Sequence, residues 1–184
     1  MGIARLIYGR SAMKGLYLID ENWYEDKNLQ AHLNTKIKKI NAIDKVVELG
    51  VGEPLAYDKL ILAMGSEARR PSFEGNQLEG IFVLRKAEDA LKLRSYIQSN
   101  GCNKAVISGG GLLGLEAAYA IKEMGLQVTV LERGEWLMRR QLDRRAGEFL
   151  RILLAKMGID IMTHAEVERC SGEENLETVQ LKDG

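Results

Sequence analysis

Proline, cysteine and histidine are scarce in this chain, with 2 of each among 184 residues. Neither sign of charge is in surplus, since 26 Lys plus Arg balance 26 Asp plus Glu. No apolar run is long; residues 60–64 are typical. Each shortage excludes something. A balanced charge argues against a nucleic-acid binder, because neutralising phosphates takes a Lys/Arg excess. Runs far below ~20 residues exclude a membrane-spanning helix. Residues 1–15 carry Arg5, Arg10 and Lys14 where a secretory signal would need a continuous apolar core, and Leu6 stands where myristoylation needs Ser or Thr. Cys102 and Cys170 are far apart, so a disulfide scaffold and a Cys-based zinc or iron–sulfur site are excluded, and two reduced thiols in a cytoplasmic protein are expected. His32 and His164 stand alone, without a second His or Cys at ligand spacing, so no metal site is expected. Few prolines with 46% hydrophobic residues also exclude a disordered chain.

What the chain does have is glycine, 19 residues of it. The texture changes near residues 99–103, and no fixed-period repeat is visible. Before that point, the stretch 3–15 is uncertain and Trp23 and Tyr24 form an aromatic cluster. Residues 31–36, 38–43 and 45–49 read as short extended pieces of a small antiparallel meander, turning at 50–52. Residues 57–64 (YDKLILAM) read as a stronger strand, apolar enough to be buried on both faces. Beyond the change the alternation is regular. Residues 88–99 predict a helix stopped by Gly101, residues 105–108 a short buried strand, residues 112–124 a helix stopped by Gly125, and residues 127–131 a β-branched strand. Asp143 is placed to cap a helix to Met157, whose apolar positions 146, 149, 150, 153, 154 and 157 follow helical spacing, and residues 159–162 form a further strand. Strand–helix–strand–helix–strand with short connections predicts an α/β fold with a parallel sheet. Residues 166–182 read as a hairpin turning at 171–175.

One motif carries chemistry. Gly109-Gly110-Gly111-Leu112-Leu113-Gly114 fits G-x-G-x-x-G, and its context agrees: a strand precedes it, a helix follows, and the next strand ends in Glu132, 21 residues after Gly111 where about 20 is expected. Gly109 permits the tight turn, Gly111 lets backbone approach a pyrophosphate, and Gly114 lets helix and strand pack closely. The N–H groups of the helix start then face phosphate charge, helped by the helix dipole. Glu132 would accept hydrogen bonds from the adenosine ribose and repel a 2′-phosphate, favouring NADH over NADPH; Arg133 beside it weakens that preference. The plain alternative is a strand-to-helix turn that merely needs glycine. Glu116 sits in the first helical turn, where it is either a favourable acid near a helix start or a ligand contact; the residues alone leave both open. The basic run Arg139-Arg140-Gln141-Leu142-Asp143-Arg144-Arg145 is either a solvated loop and helix start or an attractor for an anionic cofactor.

The order of YDKLILAMGSEARRP at 57–71, VLRKAEDA at 83–90 and AVISGGGLLGLEAAYAIKEMGLQVTVLER at 105–133 resembles the FAD-dependent pyridine nucleotide–disulfide oxidoreductase family. GGGLLGLEAA together with WLMRRQLD at 136–143 is similar to the FAD/NAD-binding part of NAD(P)H nitrite reductase large subunits, with rubredoxin-reductase-like and NADH-oxidase-like members as neighbours. The resemblance implies a Rossmann-like FAD/NAD(P)-binding fold in two nested parts. Residues 1–100 would be a partial FAD-binding segment containing the meander, and residues 101–184 the inserted NAD(P)-binding domain. It implies that Gly109, Gly110, Gly111, Leu112, Leu113, Gly114, Glu116, Glu132 and Arg133 face the nicotinamide nucleotide. Ala63 and Gly65 match the A-T-G segment passing close to FAD, with Met64 in place of Thr. Arg5 matches an arginine that lies against the flavin, and Arg85 one at the crossover between domains.

The departures matter. No G-x-G-x-x-G precedes residue 109, a C-terminal GD motif is missing, and there is no redox cysteine pair. The chain therefore reads as an internal piece with an intact NAD site and an incomplete FAD site. The expected function is the NAD(P)H-binding portion of a flavin-dependent oxidoreductase, taking hydride from NADH to FAD in the intact protein and passing electrons to acceptor domains, with nitrite one such acceptor. No side chain is expected to act as acid or base. The alternative is a non-catalytic nucleotide-binding module, or a truncated product without bound FAD.

Overall fold

The computed structural model describes residues 2–9 and 22–182. Residues 1 and 10–15 of the N-terminal stretch used above to exclude a signal sequence lie outside that range. By compactness the chain falls into two units, Tyr17–Ser66 and the remainder, Met1–Leu16 with Glu67–Gly184. Helix α1 (Gly2–Ile7) belongs to the second of these.

The smaller unit contains one helical turn, α2 (Trp23–Asp26), where the rings of Trp23 and Tyr24 meet edge-on at 5.4 Å. Strands β1 (Ile37–Asn41), β2 (Val46–Leu49) and β3 (Leu55–Ala56) then form an antiparallel sheet in that order. The β1–β2 turn is built by Asn41, whose side-chain oxygen accepts the N–H groups of Ile43 and Asp44 at 3.1 Å each. The meander is present, but residues 31–36 are not a strand: a turn interrupts them, with Asn34 in the left-handed region at φ 55°.

A larger correction concerns residues 57–64, which form no strand. Their apolar side chains are turned to solvent, with Ile61 89% and Met64 75% exposed. Apolar content alone does not make a strand. Backbone N–H and C=O groups need a neighbouring edge; Tyr57 N–H still donates to the Lys45 carbonyl at 2.9 Å, but no described strand pairs with the residues beyond it.

The larger unit is organised around a parallel sheet. α3 (Ala87–Ser99) leads into β4 (Lys104–Ser108), α4 (Leu112–Glu123), β5 (Gln127–Glu132), α5 (Arg144–Lys156) and β6 (Ile159–Thr163), with sheet order β4-β5-β6. The register sets Ala105, Val128 and Ile159 in one row and Ile107, Val130 and Ile161 in the next. Both crossovers advance in the same direction, so both helices cover one face. That face holds the core: Val128, Val130 and Ile159 pack with Leu115, Ala118 and Ile121 of α4, Leu154 of α5, and Leu93 and Ile97 of α3. From α1, Leu6 and Ile7 are inserted fully buried.

The opposite face is only partly covered. Leu131 is sealed by a hairpin, β7 (Val167–Ser171) with β8 (Thr178–Leu181), and by Phe73, Leu78 and Ile81. The segment around residues 74–79 is tied to this hairpin by Cys170 N–H to the Glu74 carbonyl and Leu176 N–H to the Glu79 carbonyl, both 2.8 Å. Burial pushes the Cys170 thiol above its ordinary pKa. Two expectations fail on burial rather than on secondary structure. β4 is an edge strand with one open face, and its Val106 is 47% exposed instead of buried. On α5, Leu154 is buried and Leu150 is half-buried, but Phe149, Leu153 and Met157 of the same apolar stripe are exposed. The stripe is wider than the core beneath it.

Candidate functional site

Strand β4 ends at Ser108 and α4 begins at Leu112, so the chain must reverse within three residues. All three are glycines, and the structure gives them different reasons. Gly109 has φ 124°, a conformation that a side chain rarely adopts. Gly110 is cramped: a Cβ there would lie 2.6 Å from Cδ2 of the fully buried Leu137 and 3.0 Å from Cβ of Glu132. Gly111 is the reverse case. A Cβ at 111 would meet nothing within 4 Å, and its φ of −85° suits any residue. At Gly114, one turn into α4, a Cβ would come within 2.0 Å of the Gly109 carbonyl oxygen. Three of these four glycines are therefore required by the fold itself. Gly111 is not, and the space beside it is open.

α4 starts without a side-chain cap, because its N-cap residue is Gly111. A helix start leaves its first N–H groups without intrahelical partners and carries the positive end of the dipole. Leu112 and Leu113 flank it, both exposed. Such a start is a ready seat for an anion.

Glu132 closes the arrangement from the end of β5. Its carboxylate accepts the Gly110 N–H on one oxygen at 2.9 Å and the Gly134 N–H on the other at 2.7 Å. Only 14% of its side chain is exposed, and Arg139 Nε stands 3.8 Å from it. Arg139 lies close over Gly134, where a Cβ would fall within 2.0 Å of its Nε. The loop behind is fixed by backbone bonds: Gly109 N–H to the Leu131 carbonyl at 2.8 Å, Met138 N–H to the Gly110 carbonyl at 2.9 Å, and His164 and Ala165 N–H to the Gly134 and Glu132 carbonyls at 3.1 Å each.

The structure thus brings Gly109, Gly110, Gly111, Leu112, Leu113, Gly114 and Glu132 together at the C-terminal edge of the sheet, where open α/β sheets bind ligands. Glu116 is half-buried in the second turn of α4, not the first, which weakens the helix-dipole reason for an acid there. Arg133 is exposed and makes no hydrogen bond or ion pair with a described residue; the arginine beside the acid is Arg139. Leu137, Met138 and Gly134 were not singled out from sequence. Their signal was present in the WLMRR segment, read only as a family signature and a charge run. Ala63 and Gly65 lie exposed in the smaller unit, and a Cβ at Gly65 would touch nothing within 4 Å. Arg5, on α1, belongs to the larger unit and is exposed. The expected flavin-side residues are thus divided, Ala63 and Gly65 in the smaller unit and Arg5 in the larger. Among the described residues no group of three His, Cys, Asp or Glu could hold a metal ion, and no helix is long and apolar enough to cross a membrane.

Residues 10–184, which include this glycine turn and the acid at the next strand end, match the family model described as pyridine nucleotide-disulphide oxidoreductase. The chain belongs to the pyridine nucleotide-disulphide oxidoreductase family. It is 34% identical over 167 residues to the ferredoxin–NAD(+) reductase component of the biphenyl dioxygenase system of Paraburkholderia xenovorans, covering 91% of this chain and 40% of that one. To the nitrite reductase [NAD(P)H] of Bacillus subtilis it is 32% identical over 182 residues, 99% of this chain and 22% of that one. A ferredoxin reductase from Rhodopseudomonas palustris superimposes with a TM-score of 0.88 at 22% identity, over 98% of this chain and 45% of that one, which shows the fold. The chain spans less than half the length of each of these three relatives. The chain has the Rossmann-like FAD/NAD(P)-binding fold and resembles nitrite reductase large subunits, and the family is FAD- and NAD(P)H-dependent.

Proposed function

We propose that residues 101–184 bind the nicotinamide nucleotide of a flavin-dependent oxidoreductase, with NADH preferred, and that residues 1–100 are part of its flavin side. The observation that carries this reading is the open space at Gly111 beside the bare start of α4. The fold has no use for a glycine there, whereas a pyrophosphate does. Glu132 supports NADH, because a carboxylate at the ribose position repels a 2′-phosphate. When bound, FAD would supply the hydride acceptor; the protein's share is to hold and orient the nucleotide. The activity of the whole protein would be hydride transfer from NADH to FAD, with electrons passed on to a separate acceptor. The relatives' names offer two kinds, a ferredoxin-type protein or nitrite. A cytoplasmic location fits a nicotinamide-dependent enzyme with reduced thiols.

A second reading, a nucleotide-binding module that holds no flavin, is motivated by the sequence, in which no G-x-G-x-x-G precedes residue 109. One preparation tests both. NADH fluorescence titration should give saturable binding, weaker for NADPH, and absence of binding at millimolar NADH rejects the nucleotide site. Flavin absorbance in the purified protein rejects the flavin-free module.

A further inference from the structure

The ribose role given to Glu132 leaves a geometric fact unexplained. Both carboxylate oxygens are already engaged, and not by neighbours in a regular element. One accepts the N–H of Gly110 at 2.9 Å, across 22 residues of sequence; the other accepts the N–H of Gly134 at 2.7 Å. Gly110 is the middle residue of the phosphate turn, is buried, and is pressed between Leu137 and the Glu132 side chain itself. Hydrogen bonds from amides to a charged carboxylate are stronger than neutral ones, and this carboxylate is largely shielded from water. The Gly110 N–H therefore points away from any ligand and toward the protein. The amides left for a phosphate are those at the α4 start.

We infer that Glu132 is a positioning residue for the phosphate turn: it clamps Gly110 and Gly134 before any nucleotide arrives, and so couples the pyrophosphate seat to the ribose seat. Each carboxylate oxygen has two acceptor positions, so one amide on each leaves capacity for ribose hydroxyls. One side chain then shapes the turn and meets the sugar. The ligand half of this inference rests on the nucleotide reading above; the clamp half rests on geometry alone.

Two measurements on the full chain test it. In the unliganded protein, NMR hydrogen exchange should find the Gly110 and Gly134 amides protected although both lie outside helices and strands. Unprotected amides overturn the clamp whatever the protein binds. The Glu132→Gln variant keeps the size of the side chain but turns an amide NH2 toward one of the two N–H donors. Exchange at one of those glycines should accelerate about tenfold or more, given the strength of a charged hydrogen bond. The probe that separates the roles is reduced nicotinamide mononucleotide, which shares the nicotinamide half and one phosphate with NADH but has no adenosine ribose. A clamp predicts that Glu132→Gln weakens both NADH and the mononucleotide several-fold. A pure ribose contact predicts weaker NADH with the mononucleotide and the glycine amides unchanged, which overturns the proposal. If the wild-type chain binds neither probe, the nucleotide reading fails while the exchange measurement still decides the clamp.

Discussion

Two helices of the larger unit each follow a parallel strand, α4 three residues after β4 and α5 after the longer connection 133–143, and they begin differently. α5 is capped: Asp143 accepts the Ala146 N–H at 2.8 Å, the ordinary way to satisfy a helix start. α3 is also served by an acid, Asp89, whose carboxylate accepts the N–H groups of Lys86 at 2.7 Å and Arg85 at 2.9 Å. α4 has no such group, and the residue where a cap would stand is the one glycine of its turn that the fold does not need. At α5 the chain supplies its own anion to the helix start. Where the anion is to come from outside, the chain withholds one. A phosphate and a capping carboxylate compete for the same N–H groups, so one start cannot hold both.

Exchanging the two kinds of start breaks the comparison most severely. Gly111→Asp should give α4 the cap that α5 has. A carboxylate in the phosphate seat should lower NADH affinity by about a hundredfold or more, by repulsion and by occupying the amides. Thermal unfolding of the variant should be unchanged or slightly later. Retained NADH binding would mean that the α4 start is not the phosphate seat. The reciprocal change, Asp143→Ala, should cost about 1 kcal/mol in urea unfolding and leave NADH titration as in wild type, since that start serves only the fold. A smaller effect sharpens the contrast at α3. The Lys86 N–H, then that of Arg85, holds the Asp89 carboxyl below its ordinary value of 3.8 despite some opposing burial. A lowered folded pKa stabilises above the unfolded value and loses that contribution as pH falls through the folded one. Stability should therefore decline below about pH 4 partly through Asp89. Asp89→Asn, which keeps an acceptor but cannot titrate, should show a shallower decline in denaturation series between pH 6 and 3.

Sequence showed the parallel half of the molecule well, because its signals are local. Glycine stops, β-branched runs and the Asp143 cap each act within a few residues, and the fingerprint lay where strand and helix met. It misled where the outcome depends on distant partners. Residues 57–64 have the composition of a buried strand, yet no described strand pairs with them beyond Tyr57. Helical spacing found an apolar stripe on α5, but only the core beneath decides that Leu154 is buried and Phe149 is not. At the site, sequence placed Glu132 at the right distance from the turn, while the direction of its carboxylate depends on Gly110 and Gly134, which spacing does not reveal. Arg133 drew notice as the next residue in sequence, whereas the next in space is Arg139.

The crowding at Gly110 changes how much the fingerprint says. Written as G-x-G-x-x-G, the pattern treats the second position as silent and the third as informative. In this chain the information is distributed otherwise. The silent position is crowded by its neighbours Leu137 and Glu132, and its identity reports on the fold. Position 111 is unconstrained by any protein atom, so its identity alone reports on the ligand. Among related chains that keep this turn, substitution at 110 would signal a rebuilt loop, and substitution at 111 would signal a lost or altered nucleotide.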